Sequence, residues 1–538
     1  MPKKWIKDVL KPANNHKKDS VNLEQEKSKP ITSSLTDTLS MLQSNLGQSA
    51  DFIIRDFKDK PSSDNVLAVS YIEGLIDANL LSDLMEGVIL ELSSEASFTS
   101  DFQSSAARLK KKLPLGNIQK ITSERELLQA ILTGSAVIVI EGVEYALDIS
   151  ISGGNRRSVQ EPTSQTVIRG PKEGFTESIS TNVALIRRKL PTPELKFETH
   201  SIGSYTKTKV ILAYLEGIAP LEVILEVNKR LKAIDTDSIL ESGYIEEFIQ
   251  DEPISPFPTM LNTERPDTVA GSLLDGQVAI LVDGTPFVLI APVTFFNFFQ
   301  SSEDYYQRYD ISTFLRIVRI VSFLVAMLLP SLYIAVTTFQ QEMLPTTLLI
   351  SLAAQREGIP FPALMEALVM ELIFEVIREA GVRMPRVIGP AISIVGALVI
   401  GQAAVQAGLV SGAMVIVVSF TAISNFVIPY FNMASSVRLI RFALMILAGT
   451  LGLFGILAGL IPIMVHLVSL ESFGVSYFMP YAPFYKSNMK DLLIRAPWWA
   501  MKTRPNQKSG KNKWRQAANQ YPASTAEKER QDKSDNQK

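Results

Sequence analysis

VIGPAISIVGALVIGQAAVQAGLVSGAMVIVVSFTAISNFVIPYFNMASSV, residues 387–437, runs for 51 positions without an Asp, Glu, Lys or Arg. A bilayer core takes about 20 apolar residues per helix, so this stretch is too long for one crossing and suits two. Gly408, Ser411 and Gly412 stand at its middle, where a tight helical hairpin would turn. Working outward, residues 320–341 form another uncharged run around FLVAMLL, and residues 442–470 hold no ionisable group except His466. Helices of soluble domains keep a polar face, which these runs mostly lack. They read as an α-helical transmembrane domain over residues 311–475, with spans at about 317–339, 387–407, 410–431 and 440–468.

The rest of the composition excludes several classes of function. The 53 basic and 55 acidic residues nearly balance, which gives no footprint for nucleic acid. The absence of cysteine removes disulfides, thiolate chemistry and thiolate metal sites. His16, His200 and His466 lie far apart without ligand-like spacing, so no metal, cofactor or catalytic residue is expected and the chain does not read as an enzyme. The first residues are basic and polar with no apolar core, so the segment before the first span is expected to stay in the cytoplasm.

That segment begins with a polar tail over residues 1–34, whose composition predicts disorder. An internal repeat follows. LAVSYIEGL at 67–75 matches VILAYLEGI at 210–218, an offset of 143, and GSAVIVIEG at 134–142 matches GQVAILVDG at 276–284, an offset of 142. Each copy reads as a buried strand, one or two helices and a β-hairpin turning at Glu141-Gly142 or Asp283-Gly284. The fold class is therefore a two-lobed α/β cytoplasmic domain made by tandem repeat, followed by the transmembrane domain. Its lobes cover residues 35–150 and 195–310, and a cleft between them is a common place for a small ligand. Residues 151–194 read as a linker, with a solvated turn at GGNRR (153–157) and an extended connector carrying Pro191 and Pro193.

Residues 361–381 break the apolar pattern. Glu366, Glu371, Glu375 and Glu379 recur among large apolar residues, and at 100° per residue Glu371, Glu375 and Glu379 make one narrow stripe. Two readings compete. In one, copies assemble so that rings of Glu366, Glu371, Glu375 and Glu379 face a water-filled, cation-conducting pathway, with Gln402 and Gln406 adding polar groups at i and i+4. In the other, the helix lies at the membrane surface with its acids in water, and the two glutamines bond to a neighbouring helix.

Aromatic residues cluster from Phe295 to Tyr309, and Arg308, Arg316 and Arg319 accompany them, a pattern that places the amino-terminal part inside. Residues 476–538 form a basic tail assigned to the same side. Several stretches then carry a resemblance: IRGPKEGFTE at 168–177, LIRRK at 185–189, PYAPF at 480–484 and DLLIRAPWW at 491–499. Over residues 50–505 the chain resembles the A subunit of the GerA-type spore germinant receptors. The resemblance implies a multi-pass protein of the inner membrane of a bacterial spore. It also implies partnership with a transporter-like B subunit and a lipoprotein C subunit, homo-oligomer formation, contact with membrane lipid, and nutrient-gated cation conduction. A non-conducting scaffold or signal-relay subunit is the alternative.

Overall fold

The offset that relates the two sequence copies also relates two halves of one architecture. The computed structural model describes residues 29–58, 65–92, 108, 118–153, 161–162, 165–383, 401–486, 488–505 and 512–516. These fall into two units, the first drawn from residues 1–250, 262–292 and 496–538 and the second from residues 251–261 and 293–495.

In the first unit, lobe one contains α1 (Leu35–Leu46), β1 (Phe52–Lys58), β2 (Asn65–Ile72), α2 (Ala78–Leu92), β3 (Ile118–Ile121), α3 (Glu124–Leu132), β4 (Ser135–Ile140) and β5 (Ala146–Ser150). Lobe two contains α4 (Ile179–Lys189), β6 (Leu195–Ile202), β7 (Thr208–Leu215), α5 (Leu221–Ala233), α6 (Ser242–Ile249), β8 (Leu261–Thr263), α7 (Pro266–Leu274), β9 (Val278–Val282) and β10 (Val288–Ala291). The sheets run β1-β2-β4-β5-β3 and β6-β7-β9-β10-β8, the same order twice.

The central strands are buried almost throughout because helices cover both faces of the sheet. Leu67, Val69 and Tyr71 of β2 meet Leu84 and Val88 of α2 on one face. Ala68 and Ile72 meet Leu42 and Leu46 of α1 and Leu127 and Ile131 of α3 on the other. The hairpin glycines Gly142 and Gly284 have φ of +74° and +91°, which a side chain would strain.

Each hairpin acid also starts a helix. Glu141 Oε2 accepts the Leu35 amide at 2.7 Å, and Asp283 Oδ1 accepts the Ile179 amide at 3.1 Å. The neighbouring Gly142 and Gly284 amides donate to Ser33 O and Glu177 O, both at 2.8 Å. By this equivalence α4 is the first helix of lobe two, and this corrects the extended connector expected within 151–194. Residues 29–34 likewise belong to lobe one: Ile31 is buried and its amide bonds to Thr122 O. The remainder of the expected polar tail, and GGNRR from 154 on, lie outside the described residues.

Arg187 of α4 joins the lobes. Its guanidinium donates to Asp51 and Ser49 on the first lobe and to the carbonyls of Thr192 and Leu195, at 2.9–3.1 Å. All five of its N–H groups are thereby used while the side chain is fully buried over the Phe197 ring. Part of the segment expected as a basic tail also packs here: Arg504 bonds to Leu274 O, Asn512 to Gly217 O, and Arg515 pairs with Asp275.

The second unit opens with Phe295–Phe299 in a 3-10 turn and continues into α8 (Tyr309–Thr338), α9 (Thr346–Arg356), α10 (Ala363–Arg383), α11 (Gly412–Phe426) and α12 (Phe431–Ser469). Arg316 and Arg319, read above as part of the pattern that places the amino-terminal part inside, are tied down. Arg316 pairs with Asp304 at 3.0 Å and Asp491 at 2.7 Å, and Arg319 with Asp304 at 2.8 Å. Tyr305 donates to Asp491 at 2.6 Å; burial first, then that carboxylate, push its phenol well above the usual range. Among the described residues, α8 and α12 are the helices long and apolar enough to cross a bilayer by length and composition, α12 when counted across its break at Gly452. α11, where the span at 410–431 was expected, has 15 residues, short of the ~20 that a crossing requires. The span expected at 387–407 lies outside the described residues up to 400, with 401–406 helical.

α12 is interrupted. Gly452 adopts φ +64° and ψ −143°, and the freed Leu453 amide donates to Gln340 Oε1 at 3.2 Å. The chain folds back so closely that a Cβ on Gly459 would stand 2.7 Å from Leu444 Cδ2. Small residues at 452, 455 and 459 are what this hairpin requires.

Two measurements test the first unit. Arg187→Met leaves Asp51 buried without its cation, a loss of about 3–5 kcal/mol. The expected fall in Tm is on the order of 10 °C, read on the full chain in detergent. The second concerns Glu246 on α6, whose carboxyl is pushed up to about 7 by burial and then by the Glu241 and Glu247 charges. A raised carboxyl stabilises fully below its unfolded value near 4.5 and loses that contribution as pH rises through about 7. Glu246→Gln should therefore flatten the decline in Tm across that window, and an unchanged slope would refute the assignment.

Candidate functional site

The acidic helix predicted over 361–381 is α10, and its carboxylates divide among three environments. Glu366 is fully buried and its Oε1 accepts both the amide and the hydroxyl of Ser411 at 2.5 Å. Ser411 is the N-cap of α11, with its Oγ accepting the Met414 amide. The acid therefore sits at the positive end of a helix dipole, with Arg356 Nε 3.8 Å from its second oxygen.

Glu371 and Glu375 come together one turn apart, facing α12. Glu371 and Arg441 are each 1 % exposed and pair at 2.9 Å. Glu375 lies 3.6 Å from Arg441 and 3.1 Å from Arg438, and Arg378 closes on it from α10 itself at 2.5 Å. Arg438 is braced by Ser435 and stacks over Phe431. Two acids thus meet three guanidinium groups inside an otherwise apolar bundle, whose core includes Ile334, Ala367, Met370, Met414 and Met445. Such a cluster can hold charge at low-dielectric depth only because each member is paired.

Glu379 is 59 % exposed and pairs with Arg383 at 2.7 Å. Gln402 and Gln406 are exposed on the helical segment 401–406. The fold therefore brings Glu371 and Glu375 together, sets Glu366 apart as a helix cap, and leaves Glu379, Gln402 and Gln406 at the surface of the chain. The pattern of a single helix missed Arg438, Arg441 and Ser411. The signal for the arginines was present: they are three residues apart, hence on one face, at the lip of an apolar run.

The cleft expected between the lobes is a cavity of about 400 Å³ lined by residues 47–50, Phe197, Glu198, Thr199, His200 and Lys232. Glu198 accepts from Tyr214 at 2.5 Å and from Asn228 at 2.8 Å. Burial, then the Glu198 bond and charge, push the Tyr214 phenol up. His200 Nε2 is buried there without a hydrogen-bond partner among the described residues. No group of three or more metal-ligating side chains occurs among the described residues.

Comparison with known proteins adds an independent line. Residues 40–507 match the family model described as Bacillus/Clostridium GerA spore germination protein. The chain is 50 % identical over 505 residues to spore germination protein KA of Bacillus subtilis (strain 168), covering 94 % of this chain and 92 % of that one. It is 44 % identical over 503 residues to an uncharacterized membrane protein, YfkQ, of the same organism, covering 93 % and 96 %. Among solved structures, the crystal structure of the N-terminal domain of the A subunit of the Bacillus megaterium spore germinant receptor GerK3 aligns at 37 % identity and a TM-score of 0.38. It covers 50 % of this chain and 98 % of that one.

The geometry assigns different outcomes to the acids of α10. Glu371→Ala removes the nearest carboxylate of Arg441, leaving Glu375 at 3.6 Å, and should cost on the order of 3 kcal/mol, whereas the paired change Glu371→Leu with Arg441→Met should recover most of it. Thermal unfolding of the detergent-solubilised chain checks both, and equal losses in the single and paired variants would contradict the ion pair.

Proposed function

Since the chain belongs to the GerA family of Bacillus/Clostridium spore germination proteins, we propose that it is the A subunit of a nutrient germinant receptor in the spore inner membrane and acts there as an oligomeric, nutrient-gated cation channel. Its partners in this reading are a transporter-like B subunit, a lipoprotein C subunit and further copies of itself. The first unit faces the cytoplasm and couples the partners' signal to the second.

The observation that carries the conducting role is the set of polar groups left outward on apolar helices. Glu379, Gln402 and Gln406 are exposed where neighbouring surface residues such as Leu372, Val376, Val405 and Leu409 are apolar. Amides and carboxylates on a lipid-facing surface carry a steep desolvation cost, which sister copies enclosing water relieve. Glu366, Glu371 and Glu375, which the spacing alone also placed on the pathway, act in this proposal as internal braces for it.

A second reading has its own support. Because Glu371 and Glu375 are neutralised by arginines of the same chain, those acids demand no aqueous pore, as befits a non-conducting relay subunit. Proteoliposome flux separates the two. Gln402→Leu with Gln406→Leu, and separately Glu379→Gln, should lower cation flux by a factor of several while oligomeric mass is unchanged. Purified protein that stays monomeric and conducts nothing supports the relay.

A further inference from the structure

The second unit contains a cavity of about 400 Å³ between α8 and the returning arm of α12, separate from the charged cluster. Its floor is aromatic. Phe295 stands edge-on to Phe323 at 5.6 Å, and Phe299 to Phe323 at 5.1 Å. Its lip is formed by Leu324 and Met464, 44 % and 46 % exposed. The lining is almost wholly apolar, so nothing in it would hold water.

We infer that this cavity takes the acyl chain of a membrane phospholipid. Three observations select that occupant. Much of the wall belongs to α8 and α12, which among the described residues are the helices long and apolar enough to cross a bilayer, so in the bilayer placement proposed above the cavity borders hydrocarbon. The lip passes directly into the outward apolar residues Val321, Ile461 and Val465 of the same helices, so the opening is continuous with the surface that meets lipid. The volume, about 400 Å³, has room for a segment of one hydrocarbon chain. An empty space of this size would forfeit the dispersion contacts of every ring around it. The inference rests on the bilayer placement proposed above, and not on conduction.

The test uses the full-length chain in phosphatidylcholine–phosphatidylglycerol vesicles doped with a phospholipid carrying a diazirine on its acyl chain. After irradiation, adducts are mapped by mass spectrometry. Adducts are expected on the outward residues Ile461 and Val465 and also on Phe295, Phe299 or Phe323, each under 10 % exposed and out of reach of surrounding lipid. Leu324→Trp, which plugs the lip, should remove the inner adducts and leave the outer ones. Outer adducts without inner ones, or inner adducts indifferent to Leu324→Trp, overturn the acyl-chain site while leaving the membrane placement intact. No adduct at either place overturns both.

Discussion

The second unit depends on the pairing of Arg441 with Glu371. Both side chains are 1 % exposed, so either one without the other would be a buried charge short of its nearest partner, and together they let a charged helix pack among apolar ones. The pair also fixes register. α10 can meet α12 only where the two charges coincide, and Arg438 and Glu375 extend the same match by one turn. The Glu366–Ser411 contact does similar work at the start of α11. Specificity of helix docking is the best-attested use of buried charge, and here three such contacts orient α10 against two neighbours.

That arrangement explains how much of the chain could be read in advance. The lobes were legible because their repeated glycines mark turns that need positive φ, and because strands covered on both faces read as unbroken apolar runs. α4 was not legible. Residues 182–187 are buried all round it, so no polar face announced a helix, and the nearby Pro191 and Pro193 pointed to an extended connector before Asp51 was placed beside Arg187. The return of α12 at Gly452 was equally hidden, since a glycine in a long apolar helix is as consistent with close packing as with a reversal. The acidic stripe was visible as a stripe, yet what it faced depended on arginines some 70 residues downstream by the numbering. Helical periodicity describes one element's faces; it does not name the neighbour.

The family resemblance read from IRGPKEGFTE, LIRRK and DLLIRAPWW is borne out by the family match. Those motifs now have places. LIRRK carries Arg187, the bolt between the lobes, and DLLIRAPWW carries Asp491, the carboxylate that receives Arg316 and Tyr305. Both are positions where one side chain satisfies several buried partners, so substitution there disturbs more than one contact.

The carboxylates that cap α1 and α4 from the far hairpin have a consequence for how the chain emerges during translation. Leu35 and Glu141 are separated by 106 residues, and Ile179 and Asp283 by 104. At a synthesis rate of roughly 5–20 residues per second, the first helix of each lobe waits several seconds before the acid that seats it leaves the ribosome. Each lobe is thus locked by its last turn, and a nascent chain interrupted before that turn presents an unfastened leading helix to the chaperones around it.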